Sequence, residues 1–237
     1  MNKVFKFKEF QVAQDRSAMK IGTDAVLLGA WVSLEHTPIS ILDIGTGTGV
    51  IALQLAQRSE AELIDAVEIE ASAHHQAVEN FENSPWSDRL FCYHAPLMEF
   101  AEEIDEQYDL IISNPPFYSN AFASKDRHRN TARLTSALSF DDLLASTSKL
   151  LAKQGRFAVI IPFDQEEHFS ELARHYKLFT NRILRTKGSP HSDFKRSLIE
   201  FSFFETNAEI QELIIENSRH NYTEDYIEIV KDFYLKM

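Results

Sequence analysis

Three of the seven glycines in this 237-residue chain fall within five positions, at Gly45, Gly47 and Gly49. They follow the apolar run Ile-Ser-Ile-Leu-Asp over 39–43 and precede a stretch of helical spacing over 50–57. A strand that turns through glycines straight into a helix opens a βα unit. Such units bring their strands together in parallel, and the sheet must then be covered on both faces. The rest of the chain agrees. Strands are expected over 63–68, 89–94, 108–113 and 155–161, with helices over 71–83, 140–151 and 165–176. Two late strands, over 179–186 and 197–205, have only a polar loop between them, which predicts a hairpin and one antiparallel strand at the end of the sheet. An extra helix is expected over 23–32, and 209–217 and 225–236 read as terminal helices. The fold class is α/β in a single domain over 1–237, with an N-terminal extension (1–37), a mostly parallel sheet core (38–205) and C-terminal helices (206–237).

The loop limits its own ligand. Glycine lets the backbone turn tightly and lets a ligand approach the peptide closely. The helix start behind it favours negative groups, carboxylates included. The spacing Gly-x-Gly-x-Gly is not the Gly-x-Gly-x-x-Gly of dinucleotide sites, and no Lys-Ser/Thr pair makes it a phosphate loop. Asp43 precedes the turn, where it can accept hydrogen bonds from an ammonium group. Glu68 ends the next strand, where a carboxylate can accept from two ribose hydroxyls. An amino acid end, a ribose and no phosphate describe S-adenosylmethionine. The cofactor candidates here are Asp43, Ile44, Gly45, Thr46, Gly47, Gly49, Glu68 and Ile69. A nicotinamide cofactor would want the other glycine spacing.

A second motif, Asn114-Pro115-Pro116-Phe117, ends the strand over 108–113. The carboxyl ends of strands are where open α/β sheets hold ligands. The two prolines fix two φ angles and remove two donors, so carbonyls are presented there. That suits methylation of a planar nitrogen. The lone pair of an exocyclic amine is delocalised into its ring, which makes it a poor nucleophile. The Asn114 side-chain oxygen and the Pro115 carbonyl can accept from the NH2 and favour a more pyramidal nitrogen. Phe117 can stack on the base, an interaction worth about 1–3 kcal/mol. The catalytic candidates are Asn114, Pro115, Pro116 and Phe117, and Asn114 also borders the expected cofactor site.

The net charge of −12 first argues against nucleic acid, but its distribution does not. Residues 55–110 hold 14 acids against two bases, so the remainder is neutral as a whole. Within it Lys125, Arg127, Arg129 and Arg133 form one basic stretch, and Lys187, Lys195 and Arg196 belong to another. These are the RNA-contact candidates, on a basic margin fit for a polyanionic substrate. Cys92 is the sole cysteine, so no disulfide can form within the chain and no zinc site is expected. His74 and His75 read as surface residues rather than metal ligands. With no apolar run long enough for a span and no signal core at the N-terminus, the expectation is a soluble, cytoplasmic protein.

Taken together, these residues resemble the amino-methyltransferases with an (Asn/Asp)-Pro-Pro-(Tyr/Phe) motif. Within them they most resemble the bacterial tRNA1(Val) (adenine-37-N6)-methyltransferase family. The closer match is carried by 7–31, including Gln14-Asp15-Arg16 and Lys20-Ile21-Gly22-Thr23-Asp24, by Asn114 to Phe117 with 127–133, and by 222–226 with 232–236. The resemblance implies a seven-stranded, Rossmann-like class I S-adenosylmethionine fold and methylation of an adenine beside the anticodon of a valine tRNA. It also implies that Gln14, Arg16, Gly22, Thr23 and Asp24 form an N-terminal cofactor segment, with no obligate protein partner. One departure stands out: Pro96 sits where such folds often carry an acid facing the cofactor adenine, which leaves main-chain groups and Leu97 to hold it. Guanine-N2 methylation of ribosomal RNA, methylation of a protein glutamine, and non-catalytic RNA binding are the competing readings.

Overall fold

The computed structural model describes residues 4–17, 19–116 and 138–237. A hairpin of β1 (Val4–Lys6) and β2 (Gln11–Ala13) leads into α1 (Thr23–Trp31). Then come β3 (Ser40–Ile44), α2 (Val50–Arg58), β4 (Leu63–Glu68), α3 (Ala71–Glu82), β5 (Leu90–His94), α4 (Leu97–Glu103) and β6 (Tyr108–Ser113). After the catalytic-motif region follow α5 (Phe140–Leu150), β7 (Leu151–Pro162), a 3-10 turn (Phe163–Gln165), α6 (Glu166–His175), β8 (Phe179–Lys187) and β9 (Phe194–Ser202). The chain closes with β10 (Glu209–Ile214), β11 (Glu216–Ser218), β12 (Asn221–Tyr222) and α7 (Glu224–Val230). No described helix is long and apolar enough to cross a membrane.

One eight-stranded sheet organises these elements, in the order β10-β8-β9-β7-β6-β3-β4-β5. Every pairing is parallel except those of β9 with β7 and β8. The strands are apolar on both faces because both are covered. On β3, Ile41 joins one core while Leu42 and Ile44 join the other. On β7, Ala158 and Ile160 face the first and Phe157, Val159 and Ile161 the second. Helices α1, α2, α3 and α7 supply the first core, whereas α4, α5 and α6 supply the second. Each fully buried aliphatic side chain contributes about 1.5–3 kcal/mol, which sets the register of these strands.

Strand order reverses between β3 and β6: from β3 the chain first builds outward to β4 and β5, then returns to place β6 on the other side. Ile44 of β3 lies opposite Ser113 of β6, and the Ser113 hydroxyl donates to the Ile44 carbonyl at 2.9 Å. The glycine loop and the Asn-Pro-Pro turn therefore leave neighbouring strands at the same end, at the switch point where such sheets bind ligands.

Four expectations need correction. The sheet has eight strands, not seven, because 209–214 adds strand β10 to β8 instead of forming a helix. Ile210, Leu213 and Ile214 are spaced i, i+3, i+4, which suits a helix, but the free edge of β8 offers unpaired backbone groups and the β-branched residues close it. The antiparallel strand, β9, lies between β7 and β8 rather than at the edge. The terminal helix stops at Val230, short of 236, and a turn carries Phe233 into the core. The β1–β2 hairpin and α4 have no counterpart in the sequence reading; Pro96 is the N-cap of α4.

Candidate active site

The glycine turn begins where β3 ends. Gly45, Gly47 and Gly49 all have positive φ, at 71°, 59° and 80°. They serve two purposes. A side chain on Gly45 or Gly47 would meet nothing within 4 Å, so these two peptides border open space. A Cβ on Gly49 would lie 2.5 Å from the Phe81 ring, so that glycine lets α3 pack against the start of α2.

Two carboxylates brace the turn from inside. The Thr46 hydroxyl donates to Asp43 Oδ2 at 2.6 Å and the Ala52 N–H donates to the same oxygen at 3.3 Å. Asp43 is fully buried, its Oδ1 has no hydrogen-bond partner among the described residues, and burial pushes its carboxyl up to about 7. Glu68 accepts the Gly47 N–H on Oε2 and the Glu70 N–H on Oε1, both at 2.9 Å. Each Glu68 oxygen keeps a second lone pair for a further donor. The cradle thus fits S-adenosylmethionine: two bare glycine peptides, a carboxylate with spare acceptor capacity at the next strand end, and a buried unpartnered oxygen beneath.

A cavity joins the loop to the second motif. Gly45, Thr46 and Gly47 line it on one side, Asn114 on another, and Met19, Lys20 and Ile21 on a third. Asn114 is half-buried, Pro115 buried and Pro116 exposed. Met19, Lys20 and Ile21 were missed in the sequence reading, since nothing in their spacing shows that the segment before α1 folds across the loop. Phe117, Lys125, Arg127, Arg129 and Arg133 lie outside the described residues.

Several expected cofactor residues stand behind this wall rather than in it. Gln14 accepts the Ile21 N–H at 3.0 Å and so shapes the segment. Arg16 pairs with Glu79 of α3 at 3.1 Å. Gly22 is the N-cap of α1, and Thr23 and Asp24 form its first turn. Asp24 pairs with Arg196 at 2.7 Å. One residue expected to hold the cofactor and one expected to hold RNA are thus bound to each other. Leu97 packs into the core, while Ile69 and Met98 remain exposed. Lys187 sits over the Phe194 ring, 5.2 Å from its centroid, and Lys195 is exposed. Burial pushes the Cys92 thiol up to about 12, which disfavours its thiolate.

Comparison with known proteins agrees with this geometry. The family model described as the methyltransferase small domain matches residues 17–181. A tRNA1(Val) (adenine(37)-N6)-methyltransferase from Christiangramia forsetii is 58% identical, over 100% of this chain and 99% of its own. Proteins of the same name from Flavobacterium johnsoniae and Yersinia enterocolitica are 54% and 43% identical, over 99% and 98% of this chain and 100% and 92% of theirs.

The chain belongs to the tRNA1(Val) (adenine(37)-N6)-methyltransferase family.

It is a methyltransferase whose cofactor is S-adenosylmethionine. Among solved structures, a predicted O-methyltransferase from Agrobacterium tumefaciens superposes with a TM-score of 0.67 at 20% identity, covering 89% of this chain and 96% of that one. A ribosomal protein L11 methylase from Lactobacillus delbrueckii gives 0.53 at 18%, covering 74% and 76%. These two share the class I Rossmann-like fold with the family.

Proposed function

We propose that this enzyme methylates N6 of adenine 37 in tRNA1(Val), the reaction in the names of its full-length relatives. The observation that supports it most is the pairing of Ile44 with Ser113, which puts the glycine turn and Asn114 on one cavity. S-adenosylmethionine supplies the methyl group on a sulfonium. Gly45 and Gly47 would present bare peptides to it, and Glu68 would receive its ribose. Asp43 lies beneath its amino acid end, and Gln14, Arg16, Gly22, Thr23 and Asp24 hold the wall formed by 19–21 in place. Ile69 and the main chain at Pro96 would flank its adenine, with Leu97 packed into the core behind them.

On the substrate side, Asn114 Oδ1 and the Pro115 carbonyl accept from the exocyclic NH2 and turn its lone pair toward the methyl carbon. With the methyl donor bound, an amine held there would take the methyl group as the donor's C–S bond breaks and would then release one proton to solvent. Such a transfer is carried by orientation and needs no general base before it. Phe117 stacks on the base. Lys125, Arg127, Arg129 and Arg133, together with Lys187 and Lys195, contact phosphates of the tRNA, which the enzyme meets in the cytoplasm. Arg196 acts through Asp24 instead.

Asn114→Ala tests the orienting role. Its affinity for S-adenosylhomocysteine, by calorimetry, should stay within about twofold while methyl transfer falls about a hundredfold or more. Asn114→Asp keeps an acceptor and should recover part of the rate. Equal activity in wild type and Asn114→Ala would overturn the assignment.

A further inference from the structure

The segment just before α1 is stitched in place. The Arg16 N–H donates to Gln76 Oε1 at 3.0 Å, and the Ser72 hydroxyl donates to the Arg16 carbonyl at 3.0 Å, so α3 anchors it. The Ser17 hydroxyl donates to the Met19 carbonyl at 2.9 Å, and the Ile21 N–H donates to Gln14 Oε1. On this fixed backbone Met19 is 59% exposed at a wall of the cavity that Asn114 also lines. An apolar side chain left open at that place is not explained by packing. Lys20 follows it. Its ammonium donates to the Gln14 carbonyl and, at 3.2 Å, to the Ser17 carbonyl. Two of its three protons are thereby used, and no carboxylate pairs with it among the described residues. The acids closest in role are occupied elsewhere: Asp24 by Arg196, and Glu68 by two backbone N–H groups.

From this geometry we infer that Met19 and Lys20 form the substrate side of the cavity: Met19 is a wall of the slot for the target base, and Lys20 holds a phosphate of the RNA beside that base. The inference rests on the proposed function and divides the N-terminal cofactor segment between two ligands. A base taken out of its stack is held between apolar or aromatic faces, and a thioether packs well on a ring. Lys20 is a positive charge at a site that receives a sulfonium. Like charges repel, so its favourable partner is an anion; the cofactor brings a carboxylate, and the anion that arrives with the adenine, to which we assign Lys20, is the RNA backbone. A fixed ammonium with one free proton suits one phosphate oxygen.

The test uses the full-length chain, a tRNA1(Val) transcript and S-adenosylhomocysteine as the cofactor probe. For Lys20→Gln, tRNA affinity at low salt should fall about five- to tenfold, and the slope of log affinity against log salt should flatten by about one. Affinity for S-adenosylhomocysteine should stay within about twofold, which also shows that the variant folds. Met19→Ala should lower kcat/KM for tRNA about two- to tenfold, and Met19→Leu should restore most of it. A parallel loss of S-adenosylhomocysteine affinity would place both residues on the cofactor, with Lys20 on its carboxylate, and overturn the inference. Unchanged tRNA affinity, salt slope and kcat/KM would also overturn it while leaving the proposed function intact. A wild-type enzyme that labels no tRNA defeats that function itself, and this inference with it.

Discussion

Asp43 carries more of the local design than its place in the sequence suggests. Its place before the glycines suits an acceptor for a ligand ammonium; in the structure it first holds the turn, through Thr46 and Ala52. Burial raises its carboxyl from 3.8 to about 7. Below about pH 4 the folded and unfolded chains both hold this proton. Between there and pH 7 the unfolded chain gives it up while the folded chain keeps it, so folding stability declines as pH rises through that window. Asp43→Asn removes the dependence. Urea unfolding from pH 5 to pH 8 should show wild type losing ground to the variant, by at most about 1.4 kcal/mol per pH unit. A constant difference across that range would contradict the buried, proton-holding carboxyl. Gly45, Gly47, Asp43, Glu68 and Asn114 were legible because turn chemistry is local. Met19, Lys20 and Ile21 were not, because their place depends on the Ile21 bond to Gln14 and on the Arg16 backbone bonds to Gln76 and Ser72 of α3, distant in sequence.

At the scale of elements, length and alternation decided what could be read. Strands over 63–68 and 108–113 were legible to the residue, since both are apolar runs bounded by turns or charged residues. The segment over 209–214 was not, because its period fits a helix as well as a strand and only the open edge of β8 selects between them. Side-chain burial separates the two. Leu213 is 2% exposed against the core, and Ile210 is 52% exposed on the strand. Leu213→Ala should therefore cost about 2–4 kcal/mol and Ile210→Ala less than about 0.5 kcal/mol, measured by denaturant unfolding. A helix with both on one face would make the two costs similar. The β1–β2 hairpin escaped notice for another reason. Its strands are three residues each, and they are held by contacts with the far end of the chain. Phe7 bridges Tyr234, and Lys8 donates to the Lys231 carbonyl at 2.5 Å.

The whole molecule explains why a chain of net charge −12 can serve a polyanion. Most of the acids of 55–110 lie on or beside β4, α3 and α4, in the half of the sheet that ends at β5, while the glycine turn and Asn114 open at the switch point between β3 and β6. Lys20 and the exposed Lys195 lie outside that acidic half. Terminal segments close around the first core: Phe7, Phe10, Tyr226, Val230 and Phe233 all belong to it, and Ile21 of the cavity wall packs against the same core. The fold class was legible from alternation alone, whereas the strand count and the closing of the termini were not, because each depends on pairing between distant segments. The most direct test is transfer of tritiated methyl from S-adenosylmethionine to total tRNA from a strain lacking this gene, followed by nucleoside digestion and mass spectrometry. The expected result is N6-methyladenosine in a single valine isoacceptor with wild-type enzyme and almost none with Asn114→Ala. No label in tRNA, or label in a nucleoside other than N6-methyladenosine, would contradict it.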